Sequence, residues 1–326
     1  MIEVLSILPL ATVQDLGRDG HWFEGLGRAG AMDALAHRVA NLLLGNEENA
    51  AALEIPLTPA RFRFTERTAF ALAGAACGAR LDGRALPRVW AGGAEAGQVL
   101  DLGRMEGGAR VCLALRGGID VPEVLGSRST QLREAFGGFH GRFLMAGDRI
   151  GQGSGTGAPQ REMSLSLPPL RAPGEEAITL RALPSAEHDS FAGAARRAFW
   201  SAPYRVTPRC NRQGYRLEGA ALERREEGEL RSHGIVPGIV QVPGGGQPIV
   251  QLADCATMGG YPKIAAIIES DLWRIAQARP GDLLRFRKVT LAEAADAEAE
   301  QAAWFDGLRA TLARLAAEPQ GGGRHG

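Results

Sequence analysis

The feature that most constrains this chain is a series of short β-like runs, each cut off by glycine or proline. Arg61–Phe64, Ala69–Ala73, Gln98–Leu102 and Val111–Leu115 are the clearest in the first half. Glycine and proline turns separate them. Short strands at turn-punctuated spacing predict a barrel or sandwich. The length exceeds one ordinary core and suits two domains at roughly 100–200 residues each.

One helix interrupts the first half. Met32, Leu35, Ala36, Val39, Leu42 and Leu43 keep helical spacing, Asp33 sits near the positive N-terminal end, and Gly45-Asn46 marks a stop. Residues 156–176 are rich in turn formers and read as a linker, separating a domain at 1–155 from one at 177–290. Two echoes suggest that the domains are related: Ala182-Leu183-Pro184 repeats Ile7-Leu8-Pro9, and Pro280-Gly281-Asp282 repeats Ala146-Gly147-Asp148. Trp304, Phe305, Leu308, Leu312 and Leu315 predict a C-terminal helix over 291–317, and 318–326 is a loose tail.

Charge excludes several functions. The 37 basic and 37 acidic residues leave no net field to gather nucleic acid or anionic lipid. Cys77, Cys112, Cys210 and Cys255 are far apart and without zinc-like spacing, so no metal site is expected. The N-terminus lacks a signal-peptide pattern and no run reaches the roughly 18–20 apolar residues of a membrane span, which predicts a cytoplasmic protein.

Four stretches can carry chemistry. Asp254 to Lys263 combines Thr257, Gly259, Gly260 and Tyr261 with a compact ammonium suited to a developing oxyanion. It is not a phosphate-binding P-loop, because Ile264 and its neighbours favour a strand over a helix; a tight turn is the competing reading. Ser127-Arg128-Ser129 offers hydroxyls around a guanidinium, either an anion cradle or an arginine tying a loop to carbonyls. The rigid loop from Ser232 through Gln247 holds His233, a possible general base or a plain surface residue. Arg209 to Leu217 is arginine-dense, and Arg212 either holds a carboxylate or forms a solvated face. Asp15 with Gln14 completes the set, although an Asx-turn also explains it.

Together, Thr12-Val13-Gln14-Asp15-Leu16-Gly17-Arg18, Gly30-Ala31-Met32-Asp33, Ala40 to Asn46, Gly117 to Pro122, Leu125 to Thr130, Gly138-Phe139 with Gly141-Arg142, Gly234 to Gly238 and Thr257 to Ile264 resemble one family. It is the 5-oxoprolinase C-subunit family, also called KipA or allophanate hydrolase subunit 2, within the biotin-dependent carboxyltransferases. The resemblance implies a mainly β fold of two tandem cyclophilin-like β-barrels. It also implies association with a homologue of the 5-oxoprolinase B subunit (KipI-like) and a third chain, a homologue of the A subunit, in a complex inactive without all its parts.

The implied activity is ATP-dependent opening of 5-oxoproline to glutamate. One alternative is carboxyl transfer from biotin to a urea-like amide; another is a non-catalytic regulator that binds a kinase-inhibiting homologue of the B subunit. The expected catalytic residues are Lys263, Arg128 and Arg212. Thr257, Gly259, Gly260, Tyr261, Ser127, Ser129, Asp254, Gln247 and Asp15 are expected to contact substrate. The chain departs from the family pattern where Cys210 and Asn211 replace serine and aspartate, where Cys255 and Ala256 replace arginine and glutamine, and where His233 replaces a common glutamate.

Overall fold

The computed structural model describes residues 1–155, 161–225 and 230–317. The chain is mainly β, in two halves, with a long helix at its end.

The first half follows from its alternation. In Ala60–Phe64 the side chains of Ala60, Phe62 and Phe64 are buried while Arg61 and Arg63 face out to pair with Asp101 and Glu3. Thr68–Ala76 differs, being buried almost throughout. Ala69, Ala71 and Ala73 meet helix α1 (Ala34–Leu43), whereas Phe70 and Leu72 join Phe62 and Phe64 in the core on the other side. Small alanines let the helix approach closely, and each buried Leu or Val of α1 contributes about 1.5–3 kcal/mol. Asp33 caps α1 by accepting the Ala36 N–H at 2.8 Å. Gly74, at φ 122°, lets the neighbouring strand bulge: a Cβ there would stand 2.5 Å from the Arg110 carbonyl oxygen.

The expected pair of closed barrels is met in full by the second half. There seven strands close a ring in the order Ile178–Pro184, Lys263–Ile267, Ile239–Gln241, Ile249–Gln251, Gly214–Glu218, Tyr204–Cys210, Leu283–Lys288. The closing pair is parallel, from Ile178 opposite Leu284 to Ala182 opposite Lys288. Helix α2 (Gly193–Ser201) packs on the ring through Phe199, stacked on Phe286 at 4.5 Å. In the first half the strands are divided between a seven-stranded and a six-stranded sheet.

The echo at Pro280-Gly281-Asp282 is a true structural repeat. Gly147 N–H donates to the Val4 carbonyl and Val4 N–H to that of Asp148; Gly281, Val206 and Asp282 repeat this at the same 2.8 and 2.9 Å. In both turns the aspartate carboxylate accepts the N–H three residues earlier, of Met145 and of Arg279. By this register Ile2–Ser6 corresponds to Tyr204–Cys210, so the other expected echo, with Ala182-Leu183-Pro184, does not hold.

Of the expected linker, Met163–Ser164 pairs with Trp90 and Ala91 and extends the first half's sheet. Residues 156–160 and the expected tail, 318–326, lie outside the described residues. Helix α3 (Leu272–Ala276) lies at the junction of the halves. Helix α4 (Leu291–Ala317) begins with a capping box, Thr290 and Glu293 exchanging side-chain to backbone hydrogen bonds. It touches both halves: Phe305 lies under the Arg38 guanidinium and Glu298 accepts the Ser270 N–H. No helix of the described residues is long and apolar enough to cross a membrane.

Candidate functional site

Lys263 opens its barrel strand and is 4% exposed. Its backbone N–H donates to Glu187 Oε2 at 3.1 Å, and Glu187 is carried in by the turn after Ile178–Pro184. Glu187 Oε1 also lies 3.2 Å from His233 Nε2. His233 belongs to a two-residue strand, His233–Gly234, paired with Met258–Gly259. The two chemically rich loops noted in the sequence are therefore one hairpin-like unit.

The polar inventory here is incomplete. Lys263 Nζ is enclosed and without a hydrogen-bond partner, a condition that is rare for buried polar atoms, and His233 Nε2 is enclosed with the Glu187 carboxylate as its ionic neighbour but no aligned hydrogen bond. Burial pushes the Lys263 pKa down, and the Glu187 carboxylate partly offsets this. His233 Nδ1 is 2.8 Å from the Arg231 carbonyl oxygen. A carbonyl only accepts, so Nδ1 carries the hydrogen and Nε2 is left to hold or take a second proton.

Gln241 steadies the floor, donating to the Tyr261 carbonyl at 3.4 Å and accepting from Gln251 at 2.8 Å. A Cβ at Gly259 would lie 2.7 Å from Gln241 Nε2, which explains the glycine. The Thr257 carbonyl accepts the Ile235 N–H. Around this floor Tyr261 (51%), Met258 (54%) and Val236 (51%) are exposed, and Gly260 packs near Leu230 and Ser232.

Asp15, Ser127 and Ser129 come together, but on each other. The Asp15 carboxylate accepts from both hydroxyls, at 2.7 and 2.5 Å, from the Arg128 N–H at 2.6 Å and from the Gly17 N–H at 2.8 Å. This satisfied staple leaves neither hydroxyl directed at a ligand. The Arg128 guanidinium points elsewhere, to the Val121 carbonyl and to Glu123 at 3.1 Å. None of the described cavities is lined by both Arg128 and Lys263. The expectation of one shared anion cavity is therefore not met by the geometry. Gln247 grips the Gly219 backbone through both its N–H and carbonyl, as a loop tie.

Arg212 and Asp254 form the centre of the junction. Arg212 donates twice to Asp254, both at 2.9 Å, to Glu54 at 2.5 Å and to the Gly30 carbonyl at 2.6 Å. Burial opposes the Arg212 charge, but the two carboxylates outweigh it and raise its pKa. Arg110, also buried, reaches Tyr215 Oη at 2.9 Å and the Ala276 carbonyl. Gln277, beyond α3, links Asp33 to the Arg110 backbone. Above this network a cleft of about 390 Å³ opens between the halves.

Glu187, Glu54, Arg110 and Tyr215 did not stand out as site residues in the sequence. Glu54 and Arg110 had a usable signal, each being a charge inside an otherwise apolar strand. Glu187 had none.

Comparison with known proteins agrees with this architecture. Residues 24–288 match the carboxyltransferase domain, subdomain A and B. The chain is 43% identical to the 5-oxoprolinase C subunit of Escherichia coli, covering 94% of this chain and 97% of that one. It is 38% identical to the 5-oxoprolinase C subunit of Haemophilus influenzae, covering 95% and 98%. The crystal structure of the K. lactis urea amidolyase superposes with a TM-score of 0.88 at 27% identity, covering 94% of this chain; the chain spans 20% of that longer protein. This chain belongs to the 5-oxoprolinase C-subunit family and carries the carboxyltransferase A and B subdomains.

Proposed function

We propose that this chain is the C subunit of a cytoplasmic 5-oxoprolinase complex that opens 5-oxoproline to glutamate at the expense of ATP, together with homologues of the A and B subunits. What supports the reading is near full-length similarity to proteins of that name. The observation that carries its chemistry is the enclosed Lys263 Nζ, without a hydrogen-bond partner, beside a Glu187 carboxylate that also stands 3.2 Å from His233 Nε2.

Opening a lactam drives negative charge onto the amide oxygen. A preplaced ammonium stabilises that charge most where water is excluded. Lys263 is such a group, and its lowered pKa makes its proton easier to share. His233 Nε2 can move a proton to or from the opening amide nitrogen, with Glu187 positioning the ring. The exposed Val236, Met258 and Tyr261 give a partner an apolar rim to cover, which would close the site and make activity depend on that partner.

ATP does not fit this loop. The Met258–Gly259 backbone is committed to pairing with His233–Gly234, and Lys263 begins a strand, so no phosphate cradle opens a helix here. We assign the nucleotide to a partner chain.

The experiment is reconstitution with the A and B homologues, reading 5-oxoproline-dependent ATP hydrolysis and glutamate release. Turnover is expected only when all three chains are present; equal turnover without this chain sinks the reading. Carboxyl transfer is the second reading, favoured by the fold shared with the K. lactis urea amidolyase. It would require biotin on a separate carrier, and carrier-dependent carboxylation of urea by the assembly would establish it.

A further inference from the structure

Another cavity lies where both halves meet helix α4, and it shares no lining residue with Lys263, His233 or Glu187. Its floor is apolar: Met32 and Leu35 come from the first half, Leu272 and Trp273 from the second. From α4, Glu298 and Gln301 line it and both grip Ser270. Glu298 Oε1 accepts the Ser270 N–H at 2.7 Å, and Gln301 Nε2 donates to the Ser270 carbonyl at 3.2 Å. Those bonds fix both side chains and leave Glu298 Oε2 and Gln301 Oε1 without a hydrogen-bond partner among the described residues. Glu269, the neighbour of Ser270, adds an exposed carboxylate whose Oε1 stands 3.5 Å from Arg28 Nη1.

The cations on the wall are already matched. Arg38 pairs with Glu48 and lies over Phe305, and Arg28 stands between Asp19, at 3.2 Å, and Glu269. Glu298 has no ion pair among the described residues; Arg181 feels its charge but is held by both oxygens of Asp271. A half-buried carboxylate beside an apolar floor, with no counter-ion of its own, attracts a cation and repels an anion.

The contacts narrow the kind of cation. A guanidinium binds best as a fork on two carboxylate oxygens, and one Glu298 oxygen is taken by Ser270. A quaternary ammonium needs an open aromatic face, whereas Trp273 is buried with the Arg274 guanidinium 4.6 Å from its ring. A primary ammonium carries three N–H donors, one each for Glu298, Gln301 and Glu269.

We propose that this cavity binds an aliphatic primary amine in its ammonium form, the three N–H groups toward Glu298, Gln301 and Glu269 and a short apolar chain over Leu35 and Leu272. The volume of about 340 Å³ lies within the range of small-ligand pockets. Two acceptors come from α4 and one from the second half, so the bound amine ties the helix down and should raise the melting temperature. The inference stands apart from the proposed activity, because it uses none of the barrel-end groups.

The test is calorimetric titration of the full chain at pH 7 with n-butylamine, n-butylguanidine, tetramethylammonium and n-butyrate. Butylamine is expected to bind most tightly and butyrate not at all. Glu298→Gln, whose amide oxygen can still accept the Ser270 N–H, should weaken butylamine about tenfold, as befits one charge-assisted hydrogen bond. The exposed Glu269→Gln should weaken it less. Glu95→Gln removes the same charge from the surface of the first half, where Glu95 pairs with Arg67, and should leave affinity unchanged. No saturable binding by wild type, equal affinity for tetramethylammonium, or affinity that survives Glu298→Gln and Glu269→Gln overturns the proposal. So does an equal loss in Glu95→Gln, which would mark general charge attraction. Because the titration contains no other chain, its result is independent of whether the complex turns over 5-oxoproline.

Discussion

At the junction of the halves, Arg212 engages two carboxylates and a carbonyl, and Arg110 a phenol and a carbonyl. At the open end of the second barrel, an equally enclosed Lys263 has no hydrogen-bond partner for its ammonium. Burial is the same in kind, and completion differs. A satisfied network fixes how two bodies meet; an unsatisfied cation stores electrostatic free energy that only a ligand or a transition state can recover. Stability and catalysis should therefore separate between these two places.

The largest effect is expected from Arg212→Met, which strands Glu54 and Asp254 as buried, unpaired carboxylates. Removing one partner from such a network costs about 3–5 kcal/mol, readable by urea unfolding. Turnover per folded molecule should stay near wild type. Lys263→Met should do the opposite, lowering 5-oxoproline-dependent turnover of the complex by about 10²–10³. Its stability should be unchanged or higher, because a buried charge that Glu187 offsets only in part is gone. If Lys263→Met instead unfolds the chain and leaves turnover intact, the contrast fails.

The junction also carries a concealed pH dependence. Burial raises the Asp33 pKa from 3.8 to about 6, so its contribution is fully present below the ordinary value and is lost as pH rises through about 6. Burial lowers His37 to about 4, so its contribution is present above 6.5 and is lost as pH falls through about 4. Between those values the two slopes oppose. Asp33→Asn keeps a capping side chain and removes one slope, so stability should then rise by about 3 kcal/mol from pH 4 to 6.5. Equal slopes in variant and wild type, measured by denaturant titration, would remove Asp33 from the account.

The smallest effect is expected at Arg128. Its ion pair with Glu123 is about half exposed and such pairs contribute about 0–1 kcal/mol. Arg128→Ala should move stability by less than about 1 kcal/mol and turnover little. A large loss of turnover would relocate the chemistry to the first half.

Local patterns carried much of the architecture. The helix over Ala34–Leu43 follows from its apolar spacing and Asp33, and the duplicated turn at Asp148 and Asp282 is visible as three residues each. Alternation reports which face of a strand is buried, but not whether the sheet closes, so the two-sheet first half was out of reach. At the sites the limit is different. Asp15, Ser127 and Ser129 look like ligand contacts in sequence because hydroxyls and carboxylates read alike whether they bind a substrate or one another. More than a hundred residues separate them, and only folding reveals the mutual satisfaction. Glu187 and Lys263 are 76 positions apart and meet only across a barrel turn.

The parallel seam between Ile178–Pro184 and Leu283–Lys288 joins the earliest strand of the second half to its latest. Until Leu283–Lys288 is in place, Ile178–Pro184 and Tyr204–Cys210 are the two open edges of the ring, an exposure that invites intermolecular pairing. Closure of the ring therefore waits for its last strand, and the long helix that follows immediately rests on both halves.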